Sequence, residues 1–310
     1  MIRVTLDIFS GRPNPTWEVD TPSTTTDLVR TLESASEIMS DAESVSARLG
    51  FRGILVEETG AERPLTARNL PKQFRLSGDD RSGVDLALRL IDQLGDPAVE
   101  PRAELTQPVP PVTAEHLRQL IKEDVTRHRG GSPPRGGVRG FQAAAPVLGT
   151  DATTWTTQPQ GACQIEIASF NPGFWNVSPV VANNNCYNYA TNRRTDTFAQ
   201  PGRSNGKQTA TMVCSNVQTA AKSDGVLPSS MCLANNLQPR WYVALVIWPG
   251  VDYHWYRQQA GGIWGHKPGS TPATNSDNSG NVITNPQTAN RGGYTSFCGY
   301  FFVGSNVQIA

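Results

Sequence analysis

Cys186, His254 and His266 are the chain's candidates for nucleophilic chemistry. The cysteine sits in Asn183-Asn184-Asn185-Cys186-Tyr187-Asn188-Tyr189-Ala190. His254 follows 68 residues later, and His266 lies 12 residues beyond it. That order suits a thiol nucleophile, its general base and the group that orients the base. A cysteine attacks as thiolate, and an ordinary thiol, with a pKa of about 8.5, holds little thiolate at neutral pH. A helix N-terminus and a neighbouring imidazolium both lower that value. Asparagines are good helix caps, and 186–194 has helical length. Cys186 is therefore expected in a first turn, where backbone N–H groups and the Asn184 or Asn185 amide could hold an oxyanion. The plain alternative is a buried structural cysteine.

The two histidines need a strand pair to bring them together. Asp252-Tyr253-His254-Trp255-Tyr256-Arg257 alternates, so Asp252, His254 and Tyr256 share one face and Tyr253, Trp255 and Arg257 the other. Ala260-Gly261-Gly262 can close a three-residue hairpin onto Ile263–Lys267. Gln259 then opposes Ile263, Tyr256 opposes His266, and His254 and His266 fall on one face. A two-residue loop would separate them. Asp252, Asn275 and Asp277 are further candidates for orienting the base. Trp255 and Trp264, with Trp175, are candidates for lining a substrate cleft or, equally, for core. Cys186, His254, His266 and Asp252 are each competent zinc ligands. No Cys-x-x-Cys or His-x-x-x-His spacing supports a metal, and no cofactor is expected. The polar loop Ser276–Asn281 has too few carboxylates for calcium and reads as a turn.

The elements around these residues point to an α+β chain. Residues 2–9, 16–19, 51–57 and 73–76 have strand composition; 26–38, 84–94 and 113–128 have helical periodicity. In the second half, helices are expected over 186–194 and 213–223. Strands are expected over 163–168, 241–248, 252–258, 263–267 and 297–303. A run of helices followed by antiparallel strands suits a helix packed on a sheet. A small α+β domain over 1–128, a Gly/Pro/Arg linker over 129–155 and a second domain over 156–310 are the expected organisation.

Composition separates the two halves. Residues 1–150 carry 18 Lys+Arg and 21 Asp+Glu, whereas 151–310 carry 9 and 6. Asn counts are 2 and 17, and all five cysteines lie in the second half. Net charge is zero, so no global field favours nucleic acid or membrane. The two Arg-Gly-Gly units of the linker are too few to suggest RNA binding. No apolar stretch reaches membrane length, and the N-terminus lacks the apolar core of a secretory signal. Five cysteines divide naturally into Cys186 and four others, Cys163, Cys214, Cys232 and Cys298. In an exported chain those four can form two disulfides; in a reducing compartment all five stay thiols. A secreted or cell-surface location is favoured, with export by another route or a removed leader.

A cysteine on a helix, a histidine on a strand and a second polar residue 12 positions on resemble the NlpC-type cell-wall peptidases of the papain-like cysteine superfamily. The resemblance covers about residues 160–305 and rests on Cys186, His254 and His266. It implies a papain-like catalytic domain with these residues as nucleophile, base and orienter, acting on amide bonds of peptides or peptidoglycan stem peptides. The chain departs from the family in two places: NNNCYNYA replaces the common Asp-Cys-Ser-Gly, and Trp255 and Tyr256 replace small residues after the base. DIFSGRPNPTWEV resembles the opening of a small domain found in uncharacterised bacterial proteins. The leading expectation is thus a bacterial-type thiol amidase with a peptide or cell-wall substrate. A protein deamidase or transglutaminase is the enzyme alternative. A non-catalytic carbohydrate- or protein-binding module is the alternative of another class.

Overall fold

The computed structural model describes residues 1–42, 45–98, 112–128 and 156–310. The expected linker, 129–155, lies outside the described residues. Among the described residues the architecture is α+β, built on two five-stranded antiparallel sheets and one separate hairpin.

The first sheet contains β1 (Ile2–Asp7), β2 (Thr16–Val19), β3 (Met39–Ser40), β4 (Gly53–Glu58) and β5 (Gln73–Ser77), in the order β2-β1-β4-β5-β3. Ile2, Val4 and Leu6 alternate into the core opposite Ile54 and Val56. Three helices accompany it: α1 (Pro22–Glu33), α2 (Arg81–Leu94) and α3 (Ala114–His128). The first begins earlier than its apolar periodicity suggests because Pro22 suits a first helical turn. Asp80 caps α2 by accepting from the Gly83 N–H at 2.7 Å. Leu86, Ala87, Leu90 and Ile91 of α2 and Leu117, Leu120 and Ile121 of α3 are buried.

The hairpin is β6 (Thr156–Gln160) with β7 (Cys163–Ile167). Short α4 (Val180–Asn183), α5 (Cys186–Thr191) and α6 (Cys214–Ser223) precede most of the second sheet. That sheet runs β11-β10-β9-β12-β8, with β8 (Leu227–Pro228), β9 (Trp241–Trp248), β10 (Asp252–Gln258), β11 (Trp264–His266) and β12 (Ser296–Val303). All eight residues of β9 are buried, as its unbroken apolar sequence requires of a strand covered on both faces. On one face Val243, Leu245 and Ile247 pack with Cys186, Tyr187 and Ala190 of α5 and Val217 and Ala221 of α6. On the other, Tyr242, Ala244, Val246 and Trp248 join one apolar cluster with residues of the first sheet.

Two disulfides fasten the second half. Cys163–Cys232 ties β7 to the segment after β8, and Cys214–Cys298 ties α6 to β12. Cys186 is the free cysteine. Disulfides persist in oxidising compartments, which agrees with an extracellular setting. Among the described residues, no helix is long and apolar enough to cross a membrane.

Candidate functional site

The local expectations about Cys186 hold, but the assembled site differs. Asn185 caps α5: its Oδ1 accepts from the N–H groups of Tyr187 and Asn188 at 3.0 and 3.1 Å, and the Asn188 Oδ1 accepts from the Asn185 N–H. Cys186 thus begins the helix. The helix stops at Thr191, three residues early, because Asn192 turns left-handed at φ 52°.

The hairpin register is the one that the three-residue connection implies, with Tyr256 opposite His266. His254 Nε2 lies 2.8 Å from His266 Nδ1, and His266 Nε2 lies 2.9 Å from the Ser276 carbonyl. A carbonyl only accepts, so His266 carries its proton on Nε2 and His254 donates from Nε2 to His266 Nδ1. Among the described residues, His254 Nδ1 is left buried, unprotonated and without a partner. Burial pushes both imidazoles down, His254 well below its ordinary value and His266 to about 4.

Strand alternation sets the cysteine apart from this pair. Cys186 packs with Tyr253 and Trp255, while His254 packs against Tyr256, His266 and Tyr294. The sheet itself stands between thiol and imidazole. Cys186 Sγ instead lies 3.9 Å from the Tyr253 carbonyl. Burial pushes its thiol well above the ordinary value, and the Asp252 charge pushes the same way. Helix N-terminal placement does not offset this, so Cys186 is a neutral core thiol at neutral pH.

The other sequence candidates are equally committed. Asn184 spends its amide on Val180 O and Asp196 and its carbonyl on the N–H groups of Thr195 and Asp196. Trp175, Trp255 and Trp264 are core residues, at most 4% exposed. Asn275 accepts from Ile283 through its main-chain carbonyl. Asp277 accepts from the N–H groups of Ser279, Asn281 and Asn290, so the polar loop folds around its own carboxylate. Among the described residues no cluster could hold a metal.

Asp252 has a role that its sequence position did not suggest. It faces the N-terminal loop and accepts from the N–H groups of Ser10 (2.6 Å), Gly11 (3.1 Å) and Arg12 (3.0 Å), and from the Tyr294 hydroxyl (2.6 Å). Burial pushes its carboxyl above the ordinary value while these four donors oppose the rise. The Gly11 carbonyl is gripped in turn by Asn185 Nδ2 (2.7 Å), Gln200 Nε2 (2.7 Å) and the Tyr253 hydroxyl (3.2 Å). Arg12 donates to the Val251 carbonyl at 2.7 Å. A Cβ on residue 11 would lie 2.5 Å from the Tyr253 ring, so only glycine fits.

Charges buried behind the loop hold it in shape. Asp7 meets Arg52 at 2.6 Å and Arg75 at 2.9 Å; despite burial these cations hold its carboxyl down at about 2. Arg52 also donates to the Phe9 carbonyl, and Asn14 Oδ1 accepts from the N–H groups of Ile8 and Phe9. Nearby, Lys267 Nζ donates to the carbonyls of Val181, Asn184 and Gly269 at 2.5–2.7 Å. Those three acceptors match three ammonium protons, although burial pushes Lys267 down to about 7. Gln200, Tyr253, Tyr294 and Gly11 were not legible as site residues. The sequence signal for the loop is its turn-forming run Gly11-Arg12-Pro13-Asn14-Pro15.

The geometry thus describes a peptide loop seated in a niche, where an amidase would have a reacting centre. The chain is 43% identical over 148 residues to insoluble matrix shell protein 1 of Ruditapes philippinarum. That match covers 48% of this chain and 98% of that protein. No family model and no solved structure matches the chain. The expected kinship with papain-like, NlpC-type peptidases is therefore corrected, and with it the thiol hydrolase and peptidase reading and the bacterial character. The relative is named for a shell matrix, and the thiol and imidazole that hydrolysis requires lie on opposite faces of a sheet. Similarity at this level over nearly the whole of the relative settles the kinship: the chain belongs to the family of insoluble matrix shell protein 1.

Proposed function

We propose that the chain is a non-catalytic protein of an extracellular matrix, acting through contacts with protein components of that matrix. The observation that carries this reading is the 43% identity across 98% of a matrix shell protein. The two disulfides support it, since they suit a protein that persists outside the cell. Of the binding classes open to such a chain, protein is favoured over carbohydrate. Sugar sites stack their ligand on open aromatic faces, whereas every tryptophan among the described residues is buried. The niche around Asp252 already binds a peptide turn through main-chain groups.

The test is retention. Purified chain is mixed at neutral pH with insoluble protein scaffold and, separately, with insoluble polysaccharide, and the pellets are assayed. Selective retention on the protein scaffold is expected, without release of amine or ammonia from peptide amides. Retention on polysaccharide alone, or amide cleavage abolished by alkylating Cys186, would refute the reading.

A further inference from the structure

The seam between the two halves is built like a ligand and its site. The ligand is Ser10-Gly11-Arg12, with three consecutive N–H groups aimed at one carboxylate and a carbonyl aimed the other way. The site is Asn185, Gln200, Asp252, Tyr253 and Tyr294, all buried and drawn from the second half. Tyr253 and the absent Cβ of Gly11 set shape, and Asp252 sets charge. A second contact reinforces the seam: the Asn278 amide pairs with both main-chain groups of Leu49, at 2.7 and 2.9 Å.

None of these bonds depends on loop and niche belonging to one chain. By covalent length alone, the 27 residues from 129 to 155 reach at most about 97 Å. The same halves could therefore pair between copies with every contact unchanged, which is the condition for exchange of a segment between protomers. The matched relative supplies a separate reason. Gly11 and Asp252 are 241 positions apart, and the match extends over 148 residues. It cannot contain both, so no more than one side of this seam has a counterpart in the match.

We propose that the niche of Asn185, Gln200, Asp252 and Tyr253 is an assembly site, filled either by the chain's own Ser10–Arg12 loop or by that of a second copy. Filling in trans links copies of the chain, which rests on the matrix reading and gives it a means of assembly. At the high local concentration of a matrix, trans filling gains by mass action over the dilute chain.

The experiment uses two full-length variants. Gly11→Val has an intact niche and a loop that cannot seat against Tyr253; Asp252→Ala has an intact loop and a niche without its carboxylate. Neither can latch in cis. Mixed at equal concentration, the tagged Gly11→Val chain is expected to retain the Asp252→Ala chain, giving a species of twice the 33.6 kDa chain mass. Each variant alone is expected to form less than a tenth as much of that species. Two folded variants, by circular dichroism, that do not pair on mixing overturn the proposal. Where either variant fails to fold, wild-type chains bearing two different tags are unfolded together with disulfides intact and refolded at high concentration. Species carrying both tags support trans filling, and single-tag monomers alone overturn it. A chain that pairs yet is not retained by insoluble protein scaffold refutes only the matrix reading. A chain that is retained yet never pairs refutes only the assembly site.

Discussion

Acidification should loosen this protein through its paired histidines. His266 is buried and neutral, with a folded-state pKa of about 4 against 6.5 for the free side chain. The proton is thus bound more tightly by the unfolded chain. The stabilisation is complete above pH 6.5 and is lost as pH falls toward 4; below 4 both states hold the proton and His266 contributes no further change. The gap between the two values corresponds to about 3 kcal/mol. His254 is shifted the same way, so it adds to the loss. The assay is urea unfolding at pH 7.5, 6.5, 5.5 and 4.5, comparing the wild type with His266→Gln. The variant side chain can still donate to Ser276 and accept from His254, yet it does not titrate. The wild type is expected to lose about 2.5 kcal/mol more than the variant across the window, since pH 4.5 stops short of the folded-state value, or about 1 M in urea midpoint. Parallel loss in both proteins would show that His266 is not the proton sink and would refute the tautomer assignment.

Three other outcomes follow from the same contacts. Asp7→Asn removes the counter-charge of buried Arg52 and Arg75 and is expected to cost about 3–5 kcal/mol by urea unfolding at neutral pH, a loss of under 1 kcal/mol meaning that the cations find other partners. Cys186 should resist iodoacetamide in the native protein at pH 8 and react fully in denaturant, as read by intact mass; native labelling at the rate of an exposed thiol would contradict the core assignment. Replacing Cys214 and Cys298 by alanine opens a loop whose ends are 84 residues apart and should cost about 4 kcal/mol, while unchanged unfolding would mean that the bridge constrains nothing in the unfolded chain.

Much of the scaffold is legible in residue order. The alternation of Ile2, Val4 and Leu6, the unbroken apolar run Trp241–Trp248 and the Gly-rich connection 260–262 depend on neighbours a few positions away, and they appear as strands and a hairpin where those patterns stand. The Asn185 cap and the division of five cysteines into one free and four bridged are local or compositional in the same way.

The site is where residue order misleads. Alternation places His254 and Tyr253 on opposite faces of β10, a local fact, but which face receives α5 is decided by how the sheet packs. Helix α5 covers the face of Tyr253 and Trp255, so a correctly capped Cys186 arrives on the wrong side of a correctly registered histidine pair. Asp252 shows the same limit from the other direction. Its ligands come from Ser10–Arg12, some 240 positions earlier, and no pattern within β10 announces them. Residue order was enough for the principal strands, the Asn185 cap and the hairpin register, because these follow from local periodicities and near neighbours. That the polar residues near Cys186 hold a peptide loop emerges from long-range packing alone. A side chain's partner across a sheet or a seam is fixed by packing between distant segments, which no local periodicity encodes.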